Sequence, residues 1–129
     1  MAKTFSYNKA EKLKSRKLLE QLFANGKSFL VFPVKVIYLQ VDASEATSLV
    51  QAGVGASSRN FKHATDRNRI KRLLREHYRL NKIPLHEFLE VNNKKVAVFF
   101  LYIDKAMPEK HVLPIKMPVV IDKLINALS

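Results

Sequence analysis

Between Asp66 and Lys82 the chain reads DRNRIKRLLREHYRLNK, and no other stretch limits the possible folds as sharply. At about 100° of rotation per residue on an α-helix, Leu73, His77, Ile70, Leu74 and Tyr78 follow one another around one side. On the same count Asn68, Lys71, Arg72, Arg75, Arg79 and Lys82 fill a separate arc of roughly 100°, with Lys71 at one edge and Arg72 at the other. The first side can be buried, whereas the second cannot be buried without counter-charge. The segment is therefore predicted to be a helix from Asp66 to about Lys82 or Ile83, lying on a core with a cationic face turned outward.

An ordinary solvated face mixes signs, with acids placed three or four residues from bases. Here the acids are only Asp66, which suits a helix N-terminus, and Glu76. Like charges on neighbouring turns repel, so a stripe of one sign points to a polyanionic partner rather than to water. The whole chain leans the same way: its formal net charge is +12 and its pI is about 10.1. A nucleic acid or an anionic membrane surface is the expected partner.

With 129 residues, 47% of them hydrophobic, the chain fits one domain with one real core, residues 1–129, and not a disordered basic tail. It contains no Cys, which excludes disulfides and Cys-based zinc sites. Its four His residues, at 63, 77, 86 and 111, lack the short paired spacings of a metal motif. Three Gly are too few for a glycine-rich phosphate loop. Neither a spanning helix nor an apolar signal core is visible, so a soluble cytoplasmic protein is expected.

In chain order, a first helix is expected from Ala10 or Glu11 to about Ala24. Leu18, Leu19, Leu22 and Phe23 give it an apolar face, and Lys12, Lys14, Arg16 and Lys17 a second basic patch. Asn25-Gly26 is read as its stop, with Gly26 in the left-handed conformation. Ser28 to Val41 reads as a short edge strand and a longer strand separated at Pro33. In the longer one Val34, Val36, Tyr38 and Gln40 share a face, and Lys35, Ile37, Leu39 and Val41 the other. Asp42 to Thr47 is a loop and Leu49 to Ala56 a third strand. The linker SSRNFKHAT, residues 57–65, brings Arg59, Lys62 and His63 up to the basic helix. Pro84 ends that helix, and LHEFLEV adds a turn or two before Asn92-Asn93. Val96 to Ile103 is read as a strand buried on both faces, reached by a β-α-β crossover. After a proline-containing connection from Met107 to Met117, Pro118 is expected in the first turn of a last helix with Val120, Ile121, Leu124, Ile125 and Leu128 inward.

The side chains favour binding over catalysis. Acids are few, and the close pairs, Glu87 with Glu90 and those of the 42–45 loop, read as solvated, so a metal-dependent protein nuclease is disfavoured. Ser57 and Ser58 lie near His63 without a third orienting group. Arg forks match paired phosphate oxygens, and Lys supplies a compact charge. Asn68 suits a contact to sugar, phosphate or base edge, or equally a local backbone bond. Phe23, Tyr38 and Tyr78 offer ring faces to unstacked bases, although each is more simply a core residue. Lys35 is a solvent-side residue or lines a cleft that holds RNA.

Arg59-Asn60-Phe61-Lys62, then Ala64, then Asp66-Arg67-Asn68-Arg69-Ile70-Lys71-Arg72-Leu73-Leu74-Arg75-Glu76, closely resembles the signature of the bacterial ribonuclease P protein component. The likeness is strong over 53–79 and looser over nearly all the rest. It implies an α/β (α+β) two-layer sandwich in the order α-β-β-β-α-β-α, similar to domain 2 of ribosomal protein S5. The sheet would be mixed and four-stranded, with a left-handed crossover at the basic helix against the usual hand. It also implies a subunit that joins a catalytic RNA and helps it remove the 5′ leader of precursor tRNA, with Mg²⁺ held mainly by the RNA and substrate and none by the protein alone. Arg67, Asn68, Arg69, Lys71, Arg72 and Arg75 match the motif; with Arg59, Lys62 and Arg79 they make the expected RNA-binding set. Phe23 matches the aromatic of the leader cleft, to which Lys35 and Tyr38 are added. Ser58 stands where the family usually has Lys, Phe61 where some members have Gly, and Leu19 where an aromatic is common; either Tyr38 or Ile37 is the counterpart of a second-strand aromatic. The partners implied are ribonuclease P RNA and precursor tRNA, with no membrane and no DNA. The rivals are a ribosomal or other structural RNA-binding protein without a processing role, a DNA-binding helix module, and the protein nuclease already disfavoured.

Overall fold

The computed structural model describes residue 13, residues 16–41 and residues 49–129. The elements are α1 (Arg16–Asn25), β1 (Lys27–Val31), β2 (Val34–Val41), β3 (Val50–Ala56), α2 (Ala64–Asn81), α3 (Ile83–Val91), β4 (Lys95–Tyr102) and α4 (Val112–Leu128). The expected start of the first helix, the cations Lys12 and Lys14, and the loop from Asp42 to Thr47 lie outside the described residues.

The four strands form one mixed sheet in the order β1-β2-β4-β3. β2 is antiparallel to both β1 and β4, and β3 runs parallel to β4. Parallel neighbours cannot be joined by a tight turn, and α2 with α3 supplies the long connection between β3 and β4. Period-two alternation divides the strands between two faces. Val34, Val36, Val50, Ala52, Val96, Val98, Phe100 and Tyr102 point to the main core, where Ile70, Leu74 and Tyr78 of α2, Leu85 and Leu89 of α3, and the inner stripe of α4 meet them. On the other face α1 lays Leu18 and Leu22 on Ala97, with Leu13, Ile37, Leu39, Val41 and Phe99 around them.

The boundaries differ from the sequence expectations in ways that have physical causes. α4 starts at Val112, so Pro118 lies inside it instead of in its first turn. Pro114 takes the tolerant first-turn place, and Leu113 and Met117 extend the buried stripe one turn backward. Gly26 is not left-handed. Position 26 has no room for a side chain, since a Cβ there would run into the Leu22 carbonyl oxygen, the group that accepts the Gly26 N–H at 2.8 Å.

α2 stops at Asn81, before the residue preceding Pro84, and Lys82 serves both as its C-cap and as the N-cap of α3. That shared corner buries Lys82, only 1% exposed, and removes it from the cationic arc. LHEFLEV belongs to α3, a full helix of nine residues. It closes on Asn93 in the left-handed region at φ 52°, with the Lys94 N–H on Leu89 and the Asn93 N–H on Glu90. This is the paired bonding by which a helix end satisfies its last carbonyls. β4 is buried on both faces only in part: Val96, Ala97, Val98, Phe100 and Tyr102 are buried, whereas Phe99 and Leu101 are half-exposed.

Candidate nucleic-acid interface

The linker after β3 is tied at several points. The Ser57 carbonyl accepts the Phe61 N–H at 3.0 Å, and Ser57 Oγ accepts the Arg59 N–H at 3.2 Å. Asn60 Nδ2 donates to the Ile103 carbonyl at 3.1 Å, fixing the loop to the end of β4. Phe61 is buried, its ring 6.1 Å from that of Tyr102. Tyr102 donates its hydroxyl to the Ala106 carbonyl at 2.6 Å, and burial first, with Asp104 second, pushes its phenol up to about 12. With the loop anchored from inside, Arg59 and Lys62 project outward and are exposed.

Along α2, Asn68, Arg69, Arg72 and Arg75 are exposed and Lys71 and Arg79 half-buried. Lys71 lies about 20° from Tyr78 on the helical count, so the core edge covers part of its stem. Arg69 stands about 60° beyond Arg72 and widens the cationic face. Two expected contacts are engaged within the chain. Arg67 Nη1 donates to the carbonyls of Phe61 at 2.7 Å and Lys62 at 2.9 Å, so its guanidinium clasps the loop. Arg79 Nη2 meets Glu76 Oε1 at 2.6 Å; that hydrogen bond, with the charge behind it, holds the Glu76 carboxyl below its ordinary value. The exposed cations of this surface are Arg59, Lys62, Arg69, Arg72 and Arg75, with Asn68 among them.

A second surface lies on the opposite face of the sheet. Leu18 and Leu22 aim α1 at Ala97, which turns Leu19 and Phe23, one residue on, toward the side. Phe23 is 55% exposed and makes an edge-to-face contact with Phe99 at 5.2 Å between ring centres. An open concavity of about 590 Å³ runs along this flank, lined by Arg16, Leu19, Glu20, Phe23 and Ala24. Pairing sets Leu30, Lys35, Leu101 and Gly55 in one row across the sheet, beside the row of Ser28, Ile37, Phe99 and Gly53. Lys35 is exposed on this face.

Tyr38 does not belong there. It is three residues from Lys35, an odd step that sends its side chain to the helical layer, where it packs on the main core with its ring 5.9 Å from Phe29. Ile37 takes the α1 side instead. The sequence reading passed over Phe99 and the two glycines beside it. The available signal was the Gly-Val-Gly spacing in β3, which clears one face of the strand next to an aromatic of β4.

Comparison with known proteins gives the family and the fold. The family model described as ribonuclease P matches residues 7–113. The ribonuclease P protein component of Porphyromonas gingivalis is 32% identical over 106 residues, covering 82% of this chain and 77% of the relative. That of Chlorobium phaeobacteroides is 33% identical over 100 residues, covering 76% and 68%. Among solved structures, the Staphylococcus aureus RNase P protein superposes with a TM-score of 0.68 at 17% identity, covering 90% of this chain and 96% of the other. The Thermotoga maritima RNase P protein gives 0.53 at 24% identity, covering 92% and 94%.

Proposed function

Because the chain belongs to the ribonuclease P protein family, the accessory subunits of a tRNA-processing ribonucleoprotein enzyme, we propose that it grips the enzyme's RNA with α2 and its preceding loop. The open face of the sheet receives the single-stranded 5′ leader of precursor tRNA. The observation that carries this reading is the outward run Arg59, Lys62, Arg69, Arg72 and Arg75, all exposed and held on a rigid helix and a pinned loop. Such a surface lowers the electrostatic cost of bringing two polyanions together and fixes their relative position. The remaining expected residues fall into supporting places: Arg67 shapes the loop, Asn68 offers a neutral amide among the cations, Lys71 and Arg79 flank the ridge, and Phe23 and Lys35 sit on the leader face.

The side chains on the ridge are guanidinium and ammonium groups, which repel a divalent cation. They do not fit a protein-held metal, and in this reading Mg²⁺ remains with the RNA and its substrate. The cell compartment is the cytoplasm, and the nucleic acid is RNA and not duplex DNA or a membrane surface.

The test is cleavage of precursor tRNA by ribonuclease P RNA at low Mg²⁺, with and without the protein. A clear gain in 5′ cleavage is expected. RNA binding without any gain would instead make the chain a structural RNA-binding protein. Preferential capture of duplex DNA over precursor tRNA would overturn the assignment altogether.

A further inference from the structure

Where α1 and α4 both end, a cavity of about 320 Å³ is lined by Lys27, Tyr38, Gln40, Lys94 and Leu128, with Asn25 at its rim. Its polar side chains stand on the helical layer, away from the face that α1 covers. Lys27 is paired across from Tyr38, which packs on the main core, and Gln40 follows two residues on, on the same face. The α4 wall of the cavity, Ala127 and Leu128, lies beyond residue 113, where the match to the family model stops.

Two ammonium groups reach this cavity from either side of β2, one on β1 and one just before β4. Lys27 opens β1 and is exposed. Lys94 is half-buried and held in place: its Nζ lies 5.9 Å from the centre of the Phe88 ring and donates to the Leu128 carbonyl at 2.5 Å. There it offsets the partial negative charge at the end of α4. An ammonium carries three N–H donors, so two of those on Lys94 remain for a ligand. Neither lysine pairs with a carboxylate among the described residues. A third cation on the same flank, Lys123, lies 5.5 Å over the Phe29 ring, which itself stands 5.9 Å from that of Tyr38.

From this arrangement we infer that the cavity binds one phosphate-bearing nucleotide, with its phosphate between Lys27 and Lys94 and its base against Tyr38 and the α4 wall. Ammonium groups without carboxylate partners call for an anion, and Lys is a compact donor to phosphate oxygens. The cavity is of the size of small-molecule sites and larger than a lone phosphate fills, and part of its wall is apolar. The amides of Asn25 and Gln40 each offer a donor and an acceptor to a base edge. The nucleotide is either one unit of an RNA chain or a free mononucleotide, since both present the same phosphate and base. The inference rests neither on the α2 ridge nor on the placement of the leader.

The test titrates adenosine 5′-monophosphate (AMP) into the full chain and follows its backbone amides by NMR. Saturable shifts are expected at Lys27, Gln40 and Leu128, with weaker binding of inorganic phosphate and none of adenosine at the same concentrations. Lys27→Gln and Lys94→Gln should each weaken AMP binding roughly ten-fold, the order of one hydrogen bond to a charged group. Lys110→Gln, which removes an exposed charge at the other end of α4, should leave it unchanged. Because Lys27 is exposed, Lys27→Gln tests the cavity without testing the fold, and circular dichroism checks each variant.

Shifts confined to α2, or unchanged AMP affinity in both Lys27→Gln and Lys94→Gln, would overturn the site. So would adenosine binding as well as AMP. Equilibrium dialysis of radiolabelled AMP then separates the two sources. Loss of AMP binding when ribonuclease P RNA or precursor tRNA is added identifies the occupant as a unit of RNA, retention identifies it as a free nucleotide, and either result upholds the site.

Discussion

Arg67 and Arg72 are one helical turn and a little more apart, yet they do different work. Arg67 spends two hydrogen bonds on the Phe61 and Lys62 carbonyls, whereas Arg72 is exposed on the outer arc. Each phosphate contact releases counterions and adds about 0.7 to 0.9 to the magnitude of the log-log salt slope of binding. Arg72→Ala should therefore flatten the slope by about that amount. Arg67→Ala should weaken RNA binding at every salt concentration with the slope unchanged, because it loosens the loop that presents Arg59 and Lys62. Filter-binding titrations across a salt series distinguish the two. This division could not be read from the RNR spelling, since sequence gives a guanidinium its position on a helix but not the carbonyls of a loop folded back over it. Tyr102 gives a pH test at the same scale. With its phenol raised to about 12 by burial and Asp104, the fold holds the neutral form while the unfolded chain ionises near pH 10. Stability should be flat in this group's titration below about pH 10 and fall as pH rises toward 12. Tyr102→Phe should remove that part of the alkaline loss, and at neutral pH cost about 1 kcal/mol for the bond to Ala106, measured by urea unfolding at both pH values.

Elements were legible where one periodicity governs one environment. The α2 stripe of Ile70, Leu74 and Tyr78 is buried as its spacing demands, and β2 splits its faces at Lys35 and Val36 as alternation demands. Legibility failed where an element passes from one environment to another. β4 reads as uniformly apolar, yet on the face that α1 packs against only Ala97 is fully buried, while Phe99, at the edge of the α1 cluster, and Leu101 stay partly exposed. α4 was truncated because a proline looks like a boundary, whereas Leu113 and Met117 bring enough burial to carry the helix through Pro118. That tolerance has a cost. Pro118 offers no N–H to the Pro114 carbonyl one turn back, and an interior proline disfavours a helix by about 3 kcal/mol relative to Ala. Part of this is offset because proline also restricts the unfolded chain, by about 0.4–1 kcal/mol. Pro118 faces outward and is exposed, so Pro118→Ala creates no cavity and should raise unfolding stability by about 2 kcal/mol. An unchanged or lower urea midpoint would mean that α4 is curved at Pro118 in a way its packing requires.

At the scale of the whole molecule, a net charge of +12 on 129 residues makes the isolated fold work against its own repulsion. The cations of α2 add to that repulsion in the free protein and relieve it only when phosphates arrive. Stability and function therefore pull the same residues in opposite directions, which is common where a site is built from like charges. The double variant Arg72→Ala with Arg75→Ala brings out both effects in one experiment. Neither side chain belongs to the buried core, so their loss leaves packing intact. Without RNA and at low salt, the variant should melt at or slightly above the wild-type temperature, with a gain of a few tenths of a kcal/mol, as expected for surface charge changes. With ribonuclease P RNA present at 100 times the wild-type dissociation constant, wild type should gain about 2.7 kcal/mol from binding to the folded state alone. The variant should gain far less, because two phosphate contacts are missing. A variant that melts well below wild type without RNA would show that Arg72 and Arg75 support the fold, and a variant stabilised by RNA as much as wild type would show that the RNA lies on some other surface.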